Sequence, residues 1–187
     1  MATNPASILP SEIWATFSGQ INAEALQRIT KAFDIAMNNK VKALHLFFHS
    51  MGGFVGDGVA MYNYFKAVPF DLTLYNPGVV SSIGVIAYLG APHRIASANS
   101  VFMIHRTQCN IPQGTPAFRA QTIVDAAILD DQRTEVILKE CLTLPAEKWE
   151  HFKNDDLHFS AEEAVKYGIA QHIGNFPPPS ATQIYNI

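Results

Sequence analysis

The chain has 187 residues, 48% of them hydrophobic and 16% charged, and a formal net charge of −3. That length and composition suit one globular domain with a proper core. The negative balance and the lack of any Lys/Arg run argue against nucleic acid as a main partner and against a polybasic membrane segment.

The opening residues, M-A-T-N-P-A-S-I-L-P, lack the charged and apolar regions of a signal peptide. No apolar stretch is long enough to span a bilayer. Two cysteines, Cys109 and Cys141, suggest reduced thiols rather than a disulfide framework, so the expected location is cytoplasmic. Residues 1–12 are expected to form an irregular arm and residues 175–187, with their F-P-P-P run, an irregular tail to a single domain spanning 1–187.

Between these ends, strand and helix patterns alternate. Ile13 to Phe17 alternates apolar residues as a short strand does. Asn22 is a candidate N-cap, followed by Leu26, Ile29, Phe33, Ala36 and Met37 at helical spacing. Val41 to Phe48 is a largely apolar strand of the kind covered on both faces. It runs into His49-Ser50-Met51-Gly52-Gly53, after which Val55 to Val68 predicts a helix ending at Pro69. Phe70 to Tyr75 is a further strand.

Next comes the stretch Asn76 to Ala91, N-P-G-V-V-S-S-I-G-V-I-A-Y-L-G-A. It predicts a turn and then a helix from about Ser82. Its apolar residues explain themselves as core, but Ser81 and Ser82 do not, since a buried hydroxyl without a partner costs roughly 1–3 kcal/mol. Arg94 to Ala96 and Val101 to His105 are short strands. Thr115-Pro116 predicts a helix start with Thr as N-cap and Pro at the first helical position. The helix continues to Cys141, about 40 Å of rod at ~1.5 Å per residue. Ser160-Ala161-Glu162-Glu163 matches a capping box, and Gly168 closes that short helix. The alternation supports an α/β domain, whose active residues sit where strands end and helices begin.

Several residues at such places carry chemistry. Gly52-Gly53 exposes backbone N–H groups without side chains in the way, a site for a negative oxygen. No Gly-Lys-Ser/Thr follows, so the turn is not a P-loop. Ser82-Ile83-Gly84 resembles half of a nucleophile elbow, but Val80 occupies the position where that signature needs glycine. His45 and His49 lie four apart on a strand without an H-E-x-x-H pattern, so no metal is expected, and nothing calls for a cofactor. His105 ends the apolar run V-F-M-I-H, where an imidazole emerges at the rim of a sheet. Asp155-Asp156 precedes the Ser160 capping box. Hydroxyl, imidazole, carboxylate and anion site are the four parts of acyl transfer by a serine nucleophile.

These motifs, in this order, resemble the proteolytic subunit of the ATP-dependent Clp protease. The similarity covers about Phe17 to Ile173. It includes F-S-G-Q-I at 17–21, S-M-G-G at 50–53 where the family has S-P-G-G, and S-S-I-G at 81–84 where it has A-S-M-G. N-S-V-F-M-I-H at 99–105 and D-L-H-F-S-A-E-E-A-V-K-Y-G-I-A at 156–170 continue it. The resemblance implies the ClpP/crotonase-like repeated β-β-α superhelix with a long projecting handle helix. It implies Ser82 as nucleophile, His105 as general base and Asp156 as the residue orienting the imidazole. It further implies Gly53 and Ile83 N–H groups as the oxyanion hole. Peptide or unfolded-protein substrate would lie as an added strand between Phe54-Val55 and Gln108-Cys109.

A homo-oligomeric ring, stacked on a second ring through the handle, is the implied assembly. About sixteen irregular residues precede the first match, where the family has a longer region that meets an AAA+ ATPase. Such a partner is therefore left open. His105 is followed by Arg-Thr rather than Gln-Pro, and Asn154-Asp155 lacks the ring-coupling arginine of many members. Two other readings share the fold or the family: a crotonase-type acyl-CoA enzyme, which needs carboxylates beside the hole, and a non-catalytic ring subunit, in which a triad residue is usually missing.

Overall fold

The structure, a computed structural model, describes residues 9–187. A six-stranded parallel sheet forms its body, in the order β8-β5-β3-β2-β1-β9. The strands are β1 (Glu12–Ser18), β2 (Ala43–His49), β3 (Asp71–Asn76), β5 (His93–Ala96), β8 (His172–Ile173) and β9 (Ile184–Asn186). A smaller sheet, ordered β4-β6-β7, contains β4 (Val79–Ser81), β6 (Val101–Ile104) and β7 (Leu157–Ser160). β4 and β6 run parallel, while β6 and β7 run antiparallel.

Parallel strands need crossovers, and helices supply them. α1 (Ala23–Asn38) joins β1 to β2, and α2 (Val55–Ala67) joins β2 to β3. α1 begins where expected: the Asn22 side chain accepts from the Ala25 N–H, and Ala25, Ile29, Phe33 and Ala36 are buried. One face of the central strands is fully covered: Leu44, Leu46, Phe48, Leu72 and Leu74 lie in one continuous core with α1 and α2. On the other face of β2, Ala43, His45, Phe47 and His49 are only half-buried, which corrects the expectation of a strand covered on both faces.

All seven residues of α3 (Ile83–Leu89) are buried, which accounts for the long apolar run after Asn76. α2 packs on α3 at Gly58, where a Cβ would collide with Ile83. Asn76, fully buried, ties the preceding turn to β6: its side chain accepts from the Gly78 N–H at 3.0 Å and donates to the Val101 carbonyl at 3.0 Å.

Three local expectations are corrected by longer-range pairing. The tail expected to be irregular over 175–187 contains β9, which adds to the open edge of β1 in the register Trp14↔Ile184 to Thr16↔Asn186. Residues 1–8 of the expected arm lie outside the described residues, and Glu12 already belongs to β1. Thr115 does not cap α4 (Ala117–Cys141); its hydroxyl donates to the Pro112 carbonyl at 2.6 Å, and Pro116 stands at the N-cap. Four further elements had no sequence counterpart: α5 (Ala146–Phe152), which starts after Pro145, and the short strands β4, β7 and β8. The capping box of α6 (Ala161–Tyr167) is present as expected, with Gly168 closing the helix at φ 89°.

Candidate active site

The small sheet sets the site. In β4–β6 pairing Ser81 lies opposite Met103, and the Ser82 N–H donates to the Met103 carbonyl at 2.7 Å. Ser82 therefore leaves the end of β4 beside the end of β6, where His105 emerges. Its own backbone is held at φ 56°, ψ −133°, a strained corner for a non-glycine residue that turns the hydroxyl out of the core. The Oγ of Ser82 and the Nε2 of His105 are 2.7 Å apart, a hydrogen bond of good length.

Neighbouring backbone locks this corner. The Ser81 N–H donates to Ser50, and the Gly52 N–H donates to the Ser50 hydroxyl at 3.1 Å. Gly52 has φ +103°, and a Cβ there would stand 2.6 Å from the Ser82 Cβ. Only glycine fits both the conformation and the space. Gly53 is similarly confined, since a Cβ would enter the backbone of Ile21.

Ser82, His105, Gly53 and Ile83 line one cleft of about 250 Å³ together with Val55, Ile86, Ile104, Arg106, Thr107, Gln108, Thr134 and Leu138. Beside the Ser–His pair its wall is largely aliphatic. Ile83 is the first residue of α3, so its N–H has no acceptor within the helix. Phe54 and Cys109 are exposed and do not line the cleft. The Phe54 backbone is also committed: its N–H donates to Ile21 at 2.9 Å and its carbonyl accepts from Gly58 at 3.1 Å.

The acid side is built differently. Asp156 is exposed and makes no hydrogen bond with His105; both line a neighbouring crevice with Lys153, Asn154 and Asp155. The Nδ1 of His105 is buried without a hydrogen-bond partner. The β6–β7 ladder runs from Val101↔Ser160 to Ile104↔Leu157 and ends there, so His105 and Asp156 each lie one residue beyond its last pair.

Arg106, which the sequence analysis noted only as a departure, lines the cleft and is held by carboxylates of α4. Their positions, 25 and 29 residues further on, carry no local signal. Among the described residues no cluster of His, Cys, Asp and Glu is arranged to hold a metal ion, and no helix is long and apolar enough to cross a membrane.

The comparison with known proteins places the chain in a family. The Clp protease family matches residues 2–176. The chain belongs to the Clp protease family. An ATP-dependent Clp protease proteolytic subunit 3 from Rhizobium etli is 26% identical over 159 residues, covering 83% of this chain and 80% of the relative. A proteolytic subunit 2 from Mycolicibacterium paratuberculosis is 27% identical over 175 residues, covering 88% and 83%. Among solved structures, a ClpP1 mutant from Listeria monocytogenes superposes with TM-score 0.73 at 23% identity, covering 88% of this chain and 91% of that one. That likeness establishes the ClpP fold. The family is one of serine peptidases.

Proposed function

We propose that the protein is a serine endopeptidase that hydrolyses peptides and unfolded proteins through Ser82, His105 and Asp156. The observation that carries this reading is the 2.7 Å contact of Ser82 Oγ with His105 Nε2 at the cleft. In the reaction, Nε2 takes the hydroxyl proton as Oγ attacks the scissile carbonyl. The N–H groups of Gly53 and Ile83 hold the resulting oxyanion. The imidazolium then gives its proton to the leaving amine, and water releases the acyl group by the same steps in reverse.

Asp156 is taken as the acid of this triad; its position next to Leu157, the last partner of β6, and its place with His105 along one crevice support that reading. Its task is to accept the Nδ1–H, fixing the tautomer in which Nε2 is the base. A buried N–H without a partner costs about 1–3 kcal/mol. The orphaned Nδ1 therefore favours closure of the segment 153–156 upon it.

Val55 and Gln108 line the cleft and flank a bound peptide; Phe54 and Cys109, exposed and outside the lining, are their chain neighbours. A ring assembly of this subunit is supported by the apolar surface left on α4, where Phe118, Leu129, Val136 and Ile128 are 77%, 61%, 55% and 49% exposed. Patches of this kind mark contacts with other chains. The crotonase-type reading is disfavoured, since no carboxylate lines the cleft among the described residues. A fluorophosphonate probe with peptide mapping tests the proposal. Label is expected on Ser82 and absent from Ser82→Ala; label elsewhere, or unaffected by that change, rejects it.

A further inference from the structure

β6 ends at Ile104, and residues 105–112 have no regular structure, so the sheet does not hold the chain beyond His105. Side chains do. The Arg106 Nη1 donates to Glu135 Oε2 at 2.6 Å, and its Nε lies 3.9 Å from Asp131 Oδ2. The other oxygen of Asp131 accepts the Thr107 N–H at 2.6 Å. Asp131 and Glu135 stand one turn apart on α4, and Glu135 is itself held by Lys139 at 2.6 Å. The Arg106 guanidinium also lies 5.3 Å over the ring of Phe152, a buried residue at the end of α5, four positions before Asp156.

A lone surface ion pair contributes about 0–1 kcal/mol or less. This arrangement is more than a pair, because two carboxylates straddle one guanidinium and one of them grips the next backbone amide as well. It also demands arginine: a planar fork reaches both carboxylates and an aromatic face, whereas an ammonium is a single point. The same turns of α4 contribute Thr134 and Leu138 to the cleft wall. We infer that Arg106 is a positioning residue for His105: it fastens the loop after the histidine to α4 and α5, holding the imidazole against Ser82 and setting its separation from Asp156. The inference rests on the peptidase reading and adds to it a residue that does not touch the reacting atoms.

The test measures, on the full chain, the rate of Ser82 labelling by a fluorophosphonate together with kcat and KM on a fluorogenic peptide. Arg106→Ala is expected to lower kcat and the labelling rate together by about 10–100-fold, the scale of a misplacement near 1 Å, with KM little changed. Arg106→Lys should restore part of the loss. The D131N/E135Q pair, which keeps the shapes and removes the charges, should reproduce most of it. Combining that pair with Arg106→Ala should add no more than about twofold, because the groups act as a unit.

Wild-type labelling in Arg106→Ala, a change in KM alone, or losses that multiply would overturn the assignment while leaving the peptidase reading intact. A loss that vanishes on cooling below a lowered melting transition would mark Arg106 as a fold support and overturn it too. If wild type shows no Ser82 label, the peptidase reading fails and the positioning role falls with it.

Discussion

The two sides of His105 are built to different standards. Towards Ser82 the backbone is bonded throughout: the Ser82 amide on Met103, the Ser81 amide on Ser50, the Gly52 amide on the Ser50 hydroxyl. Towards Asp156 the residues are exposed, the β6–β7 ladder ends one residue short, and Nδ1 has no partner. The Ser82–His105 contact is thus fixed by strand pairing and backbone hydrogen bonds, whereas the place of Asp156 depends on how the segment between α5 and β7 lies. Preorganisation is expected where the larger share of catalysis is set.

The most severe way to break this contrast is Ser82→Ala. Loss of a triad serine costs on the order of 10⁶ in rate, so peptide hydrolysis should fall to background while the melting temperature stays close to wild type. Substantial residual turnover would remove the Ser–His pair from the chemistry. Asp156→Asn comes next, with an expected loss of roughly 10⁴-fold in kcat, the scale seen when a triad acid is made neutral. Should Asp155→Asn give that loss instead, the assignment of Asp156 fails.

Gly52→Ala probes the buried side. Backbone held at a strained φ costs of order 1–3 kcal/mol, and the added methyl meets the Ser82 Cβ, so both thermal stability and labelling rate should drop. An alanine variant with full labelling would mean that the Ser82 corner is less rigid than its hydrogen bonds imply.

The smallest effect is a pH dependence on the solvent side. Glu135 titrates below its ordinary value, chiefly through its hydrogen bond to Lys139 and then through Arg106, against an opposing contribution from burial. Its unfolded form has the higher pKa, so its contribution is complete above the ordinary carboxylate range and is lost as pH falls through the depressed value. Melting curves of wild type and Glu135→Gln should therefore converge in acid and separate above about pH 5. Curves separated equally at all pH values would show that the charge of Glu135 is not what matters.

How much of this was legible beforehand follows from the range of the interactions. α1 was readable because Asn22 and the Ile29–Phe33–Ala36 stripe lie within one helix. α6 was readable because its capping box spans four consecutive residues. Ser82, His105 and the Gly-Gly turn sit inside short motifs, and it was the family resemblance those motifs carry that singled them out. The four-residue β7 was missed because Leu157 and Phe159 turn inward only once β6 is alongside. The strand in the tail was missed because it exists only as an addition to the edge of β1. Thr115 looked like a cap, but α4 starts one residue later, with Pro116 at the N-cap, and Thr115 belongs to the preceding turn through its bond to the Pro112 carbonyl.

By itself, then, the sequence determined the α/β class and most helix boundaries, since these rest on local periodicity, and its motifs pointed by resemblance to Ser82 and His105. Tertiary structure alone decided that Ser82 and His105 are in contact, that the Phe54 backbone is already occupied, that Asp156 is not bonded to His105, and that Arg106 reaches α4. Each of these is a meeting of groups from separate elements, and it is the sheet pairing and core packing that bring them together.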